Sequence, residues 1–581
     1  MKKVLRFLGR IKKDTAFAML LVVLNQLLGL VLPLMMSMII NNGISNGDLD
    51  YIKRVGFYMI LVAAATVGVA ALSSYYTSKA ATGYGRILRE EIFLKVETLS
   101  QSDIDRIGTP SLITRCTNDV KVMQDFMLQM LRMIISTPVM LLGGTVMAVF
   151  LNAKLALVIF AVLPVIALVA FLVFKLVLPL FRKRQKMVDG LNRFLREKLS
   201  GIRVIRAFNK EEYEDARFDE KNEALSALVL RLQRLMATLI PVGIVLVVIA
   251  LDALIYIATK NIDAMTDPVK IQNTVGDLQA FVIYMIMIVL AIGMAAAMFI
   301  IVPRANISAK RICEVLDLEP QIKDPAVPKS IDETRRGEIV FENVTFGYLD
   351  AQQPILSNIT FTAEAGKTTA IIGGTGSGKS TLVSLIPRFY DVKVGRVLFG
   401  GVDVRELSQE DLHSRIGFVA QKANLFSGSI EENLRYGDEN ATDEKLQRAV
   451  EISQSKAFID ELPDGLQSFV SQNVTNLSGG QKQRLSIARA LVRDADVYIF
   501  DDSFSALDFV TDAKLRAALK KEIDSTVIIV AQRVGTILNA DKILVLDCGK
   551  IVGEGTHTEL LESCEIYREI VASQLSKEAL Q

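Results

Sequence analysis

VYIFDDSFSALD, residues 497–508, is an apolar, buried-type strand that runs out into two adjacent carboxylates, Asp501 and Asp502. A helix's length further on comes a second such strand, VIIVAQR (527–533), with Gln532 at its polar end. NLSGGQKQR (476–484) closely precedes the first strand, and about a hundred residues before that TTAIIG runs straight into GGTGSGKST (373–381). The last stretch fits G-x-x-x-x-G-K-[ST] without a mismatch, in strand–loop–helix context. Together these segments predict an α/β domain that handles a nucleotide.

The residue types explain the chemistry. Gly373, Gly374, Gly376 and Gly378, with Thr375 and Ser377 between them, let successive backbone N–H groups turn inward around phosphate oxygens. Lys379 then reaches the outer phosphates, the Ser380 hydroxyl ligates Mg²⁺, and Thr381 continues the helix. Asp501, at a strand end, suits the metal shell, and Gln421 in the polar break of FVAQKANLF suits a metal or water contact. Leu477-Ser478-Gly479-Gly480-Gln481 opens another helix and supplies a second phosphate cradle. One ATP already has its cradle at 373–381. The second makes sense if two such domains face each other, each closing on the other's nucleotide.

Further out, the composition divides the chain. Of 581 residues 51% are hydrophobic and mean hydropathy is +0.35, yet 22% are charged, so a membrane part and a soluble part are expected. Runs of about 20 apolar residues, long enough to cross a bilayer, occur near 17–40, 55–72, 134–151, 155–178, 236–258 and 280–302. The basic start MKKVLRFLGRIKK leads into the first of them, which reads as an uncleaved span. Connections after spans one, three and five are short. Those after spans two and four run to about 50 residues, and 182–234 alone carries fourteen Lys and Arg. The positive-inside rule puts the long connections and the N-terminus in the cytoplasm. Both connections read as helices continuing out of the membrane, with reversals at IGTPSL and LSGIRV.

Pro33, Pro138, Pro164 and Pro241 are tolerated kinks, and Met285, Met287, Met294 and Met298 fit helix packing or an adaptable path. Asp252 is an ionisable residue in an apolar run: a cation or proton site, or an acid facing water near a span's end. Pro320, Pro325 and Pro328 among charged residues mark a linker. Cys116, Cys313, Cys548 and Cys564 are scattered and support neither a zinc site nor a disulfide framework. The net charge of +2 gives no sign of nucleic-acid binding.

With these motifs in this order, the chain resembles an ABC exporter half-transporter over essentially its whole length. The resemblance implies a fold: an α-helical six-span transmembrane domain with long cytoplasmic extensions (1–310), a linker (311–337) and an α/β P-loop ABC nucleotide-binding domain (338–581). It implies that Tyr348 stacks on adenine, that Gln421 links nucleotide to membrane domain, and that Ser505-Ala506-Leu507-Asp508 is the D-loop. ITRCTNDV and GIRVIRAFNKEEYE resemble the segments that flank coupling helices, the second of which typically docks on a partner's nucleotide domain. ATP and Mg²⁺, membrane lipids, a small amphipathic substrate and a second half-transporter are the implied ligands and partners.

Three positions depart from the family. Its catalytic Glu is Asp502 here, its switch His is Gln532, and SFVSQNVTNLSGG puts Gln472 at a usually acidic position. An amide cannot carry the charge of an imidazolium. The residues serving this chain's own nucleotide are weakened, while the LSGGQ that would serve a partner's is kept. That asymmetry resembles the degenerate-site subunit of heterodimeric bacterial multidrug exporters in the cell membrane. A slow homodimeric lipid or peptide exporter, or an ATP-binding regulatory subunit, is the alternative.

Overall fold

The computed structural model describes residues 1–263, 268–348, 351–471 and 476–574. It divides into two compact units: Met1–Glu97 with Pro110–Leu318, and Thr98–Thr109 with Glu319–Gln581.

The first unit is helical because its apolar runs are continuous and carry their backbone hydrogen bonds internally, as a bilayer demands. Among the described residues five helical stretches are long and apolar enough to cross a membrane: Lys2–Ile44, Leu49–Glu97, Thr109–Leu151, Glu211–Lys260 and Thr274–Ala295. The expected fourth span falls inside the 48-residue helix Ala153–Ser200, part of whose side chains lie outside the described set. The expected helical continuations are present. Leu49–Glu97 has 49 residues and Glu211–Asp263 has 53, roughly 75 Å each at 1.5 Å per residue, against about 30 Å of hydrocarbon. The short helix Ile202–Ala207 stands at the second expected reversal, behind Gly201. Pro33, Pro138, Pro164 and Pro241 all lie within helices. Among the described residues three π turns interrupt the α-helices, at Ile39–Ile44, Arg115–Asp119 and Met130–Ile134. The core gathers Ala148, Ile159, Leu254, Phe281, Met285 and Ile288, so Met285 is a packing residue. The Tyr284 hydroxyl donates to the Leu30 carbonyl at 2.8 Å and ties the first and last spans together.

In the second unit, six strands form one sheet in the order Lys550–Gly555, Lys542–Asp547, Thr368–Gly373, Thr526–Val530, Val497–Asp501, Ile416–Val419. The inner neighbours pair in parallel, and only Lys550–Gly555 runs antiparallel. Every residue of Val497–Asp501 and Thr526–Val530 is buried, as expected of parallel strands covered on both faces. A four-stranded antiparallel sheet, Leu356–Ala363, Ile339–Phe346, Val394–Phe399 and Val402–Asp403, packs its own apolar face into a second core. The helix Gln101–Ile107 also belongs to this unit. A capping box between Ser100 and Asp103 starts it, Gly108 ends it at φ 82°, and the Asp103 carboxylate accepts the backbone N–H of Gln321 at 3.2 Å.

Candidate nucleotide-binding site

The strand Thr368–Gly373 ends where a β-carbon on Gly373 would collide with the Leu546 carbonyl. The chain then turns through Gly376 (φ 81°) and Gly378 (φ 100°), left-handed positions that suit glycine, into the helix Lys379–Ser384. Lys379 Nζ curls back onto the carbonyls of Gly373 and Gly374, at 2.8 and 2.7 Å. The Ser377 hydroxyl is buried without a hydrogen-bond partner, and nothing lies within 4 Å of a β-carbon built on Gly374. An orphaned donor, a parked cation and open space over the loop all fit a polyphosphate. Burial pushes the Lys379 ammonium below its ordinary pKa, with Asp502 and Asp501 opposing the shift.

The Ser380 hydroxyl donates to Asp501 Oδ1 at 2.8 Å, which pairs the two groups expected to hold Mg²⁺. The third, Gln421, has its hydrogen bond to Asp502 instead. Its Nε2 donates to Asp502 Oδ2 at 3.2 Å, and Gln532 Nε2 donates to the same oxygen at 2.7 Å. Residues 81 and 30 positions away thus converge on one carboxylate. Asp502 itself is left-handed, at φ 49°, a conformation that Asp tolerates better than most side chains. Its N–H donates to Val530, and its carbonyl accepts the Ser505 hydroxyl at 2.8 Å. Burial raises the pKa of both Asp501 and Asp502; Ser380 holds the first down in part, Gln421 the second. Neither histidine takes part: His413 pairs with the Pro387 carbonyl and His557 with the Tyr567 hydroxyl.

Tyr348 is 38% exposed, leaving ring surface for a base, while its hydroxyl meets that of Thr381 at 3.2 Å. Sequence reasoning passed over its support. Tyr390 packs edge-on to Tyr348 with centroids 5.3 Å apart, and its hydroxyl donates to Asp105 on the helix Gln101–Ile107 at 2.8 Å. The available signal was an aromatic residue shortly after the phosphate-loop helix.

The segment Leu477–Gln481 is built separately. Ser478 caps the helix Gly479–Val492 and forms a capping box with Gln481; none of the hydrogen bonds of either side chain goes to the 373–381 loop. A β-carbon on Gly480 would stand 3.3 Å from the Ala506 carbonyl, so this glycine packs on the D-loop. Leu507 is buried, Arg533 holds the Ser505 carbonyl at 3.1 Å, and Asp508 caps the helix Phe509–Glu522 through Thr511 N–H at 2.9 Å. Asp252 is exposed on the helix Glu211–Asp263 of the first unit. Gln472 lies outside the described residues.

Comparison with known proteins places these features in a family. The model of the ABC transporter transmembrane region matches residues 15–299, and that of the ABC transporter domain matches 356–505. An uncharacterized ABC transporter ATP-binding protein of Mycobacterium tuberculosis is 41% identical over 568 residues, covering 97% of this chain and 96% of the relative. A multidrug efflux ATP-binding/permease protein of Mycobacterium bovis is 33% identical over 94% of this chain and 45% of its own length. An ATP-dependent lipid A-core flippase of Pseudomonas syringae is 32% identical over 92% and 87%. Among solved structures, a bacterial Atm1-family ABC exporter with ATP bound aligns at a TM-score of 0.77 and 24% identity, over 98% of this chain and 99% of that one.

Proposed function

Because this chain belongs to the ABC transporter family, a multi-pass ATP-hydrolysing transporter with the exporter fold, we propose that it is the degenerate-site subunit of a heterodimeric exporter of amphipathic compounds. The observation that carries this is the double amide clamp on Asp502 Oδ2. A Glu in its place would reach one C–C bond further, about 1.5 Å, and misplacement of a catalytic group by about 1 Å can cost of order a hundredfold. Gln532 keeps a hydrogen-bond donor but no titratable charge.

In this reading ATP is held rather than turned over quickly. Tyr348 stacks on adenine, the 373–381 loop wraps the phosphates, and Lys379 exchanges the Gly373 and Gly374 carbonyls for phosphate oxygens. Ser380, Asp501 and Gln421 would hold Mg²⁺, which when bound neutralises charge on the phosphates. Leu477–Gln481 completes the competent site of a second half-transporter. A docking surface for that partner is at hand around the helix Ile202–Ala207, where Val204, Phe208 and Tyr213 are 61, 71 and 60% exposed. The six apolar runs of the sequence support six crossings of a bacterial cell membrane, and the Lys and Arg of the long connections support a cytoplasmic N-terminus and nucleotide domain. Relatives named for multidrug efflux and lipid flipping support an amphipathic cargo.

ATPase assays of the purified chain alone and of the co-purified pair test the proposal. The lone chain is expected to turn over about a hundredfold more slowly than the pair. Robust turnover by the lone chain, abolished by changing Asp502, would overturn it.

A further inference from the structure

The first and last spans meet at a polar cluster that the nucleotide site does not use. The helix Lys12–Met38 gives way at Ile39–Ile44 to a π turn, a feature that often marks functional positions. Asn41, on that turn, faces the helix Pro268–Leu316. The two helices approach as closely as glycine allows: a β-carbon on Gly276 would collide with Asn41 Oδ1 and stand 3.0 Å from the Ser37 carbonyl. Next to Gly276 is Asp277. Its Oδ1 accepts the Ser37 hydroxyl at 2.9 Å and Asn41 Nδ2 at 3.1 Å, and Asn41 Nδ2 also reaches Ser37 Oγ at 3.2 Å.

The charge on this cluster is unbalanced. Ser37 is 2% exposed and Asp277 half-buried, at the start of the apolar stretch Thr274–Ala295. Both donors to the carboxylate are neutral. Among the described residues no Lys or Arg pairs with it, and Oδ2 accepts no hydrogen bond. Asn41 Oδ1 is also buried without a partner. Neutral donors fix a carboxylate's orientation but do not offset the cost of ionising it beside hydrocarbon. Asn41 Oδ1 is closed off by Gly276, and the acceptor left open on this apolar helix seam, Asp277 Oδ2, matches a positive charge carried on a greasy body. Asp252, the acid that the sequence singles out, is exposed and has no such shell.

We propose that Ser37, Asn41 and Asp277 form a binding site for the charged head of a lipophilic organic cation. This rests on the reading of the chain as an exporter of amphipathic compounds, and gives their charge a sign. Asp277 supplies the counter-charge; Ser37 and Asn41 hold its carboxylate in place.

Equilibrium dialysis on the co-purified transporter in lipid nanodiscs, with tetraphenylphosphonium and the neutral triphenylphosphine oxide as probes, tests the site. Wild type is expected to prefer the cation. Asp277→Asn, which keeps an oxygen for Ser37 and Asn41, is expected to weaken cation binding by about tenfold or more, as for a charge pair between the exposed and buried limits. Binding of the neutral probe should stay within about twofold, and Asp277→Glu should keep the preference. Wild type without a preference, or Asp277→Asn that weakens both probes alike or neither, overturns the proposal; the first of these needs no variant to fold. ATP-driven dye efflux by the same complex reads the exporter assignment separately. Efflux with cation binding indifferent to Asp277→Asn sinks the site alone, and charge-selective binding without efflux sinks the exporter reading alone.

Discussion

Two loops of the nucleotide domain bear on ATP, and they are built in opposite ways. At Asp502 the polar groups satisfy one another: two amides take one carboxylate oxygen, and Lys379 and Ser380 rest on protein acceptors. At Leu477–Gln481 the Leu477 side chain is buried, those of Ser478 and Gln481 start a helix, and nothing lies within 4 Å of a β-carbon built on Gly479. In the first these groups rest on their own chain, with only the Ser377 hydroxyl left over; the second exposes Ser478 and Gly479. Under the proposed pairing, a chain whose signature is intact and whose own carboxylate is short and clamped would contribute more to a neighbour's chemistry than to its own.

Breaking the signature should have the largest effect. Ser478→Arg removes the cap and puts a bulky cation where a phosphate is expected, so the ATPase of the assembled pair should fall by about a hundredfold. ATP affinity at this chain's own loop should hold within about twofold, measured with a fluorescent analogue. Ser478→Thr, which can still cap, should keep most activity. The converse change sharpens the comparison. Asp502→Glu with Gln532→His restores reach and a titratable partner, and vanadate-trapped nucleotide on this chain should rise by about tenfold. A smaller effect is expected at the base: Tyr348→Ala should weaken ATP binding by about tenfold, the worth of one stacking platform. Tyr390→Leu, acting only through Tyr348, should cost about threefold.

The legibility of the two loops in sequence differs for a physical reason. The phosphate loop and LSGGQ are local motifs, in which glycine spacing, a cap and a following apolar period specify the backbone by themselves. The long helices of the membrane unit were legible too, because continuous apolar runs leave few alternatives. The convergence of Gln421 and Gln532 on Asp502 was not. It depends on the neighbouring order of the strands Val497–Asp501, Thr526–Val530 and Ile416–Val419, which no single segment encodes. Sequence reasoning assigned Gln421 to the metal and treated Asp502 as a matter of length, whereas the left-handed backbone at Asp502 also sets its aim. Tyr390 and Asp277 went unnoticed for the same cause: each acquires its role from a residue more than two hundred positions away, Asp105 and Asn41.

The smallest effect is thermodynamic and tests whether the clamped carboxylate is a cost in the nucleotide-free chain. Burial raises the pKa of Asp502 above its ordinary value, with Gln421, Ser505, Lys379 and Gln532 opposing. A raised folded-state value means that the neutral acid is favoured in the folded state. Its contribution to stability is therefore present below the usual carboxylate range, about pH 4, and is lost as pH rises through the folded value. Asp501 shifts in the same direction. Above the folded value the ionised Asp502 thus weighs against the fold. Asp502→Asn keeps an oxygen for both amides and removes the charge, so it should raise the apparent Tm of the nucleotide-free chain by about 2–4 °C near pH 7.5. The gain should shrink toward zero as pH falls through the folded value and below the usual carboxylate range, about pH 4, where both side chains are neutral. A melting point that drops on substitution, or a gain that does not change with pH, would mean that the clamp stabilises the ionised form and that the site is poised for a charge it keeps.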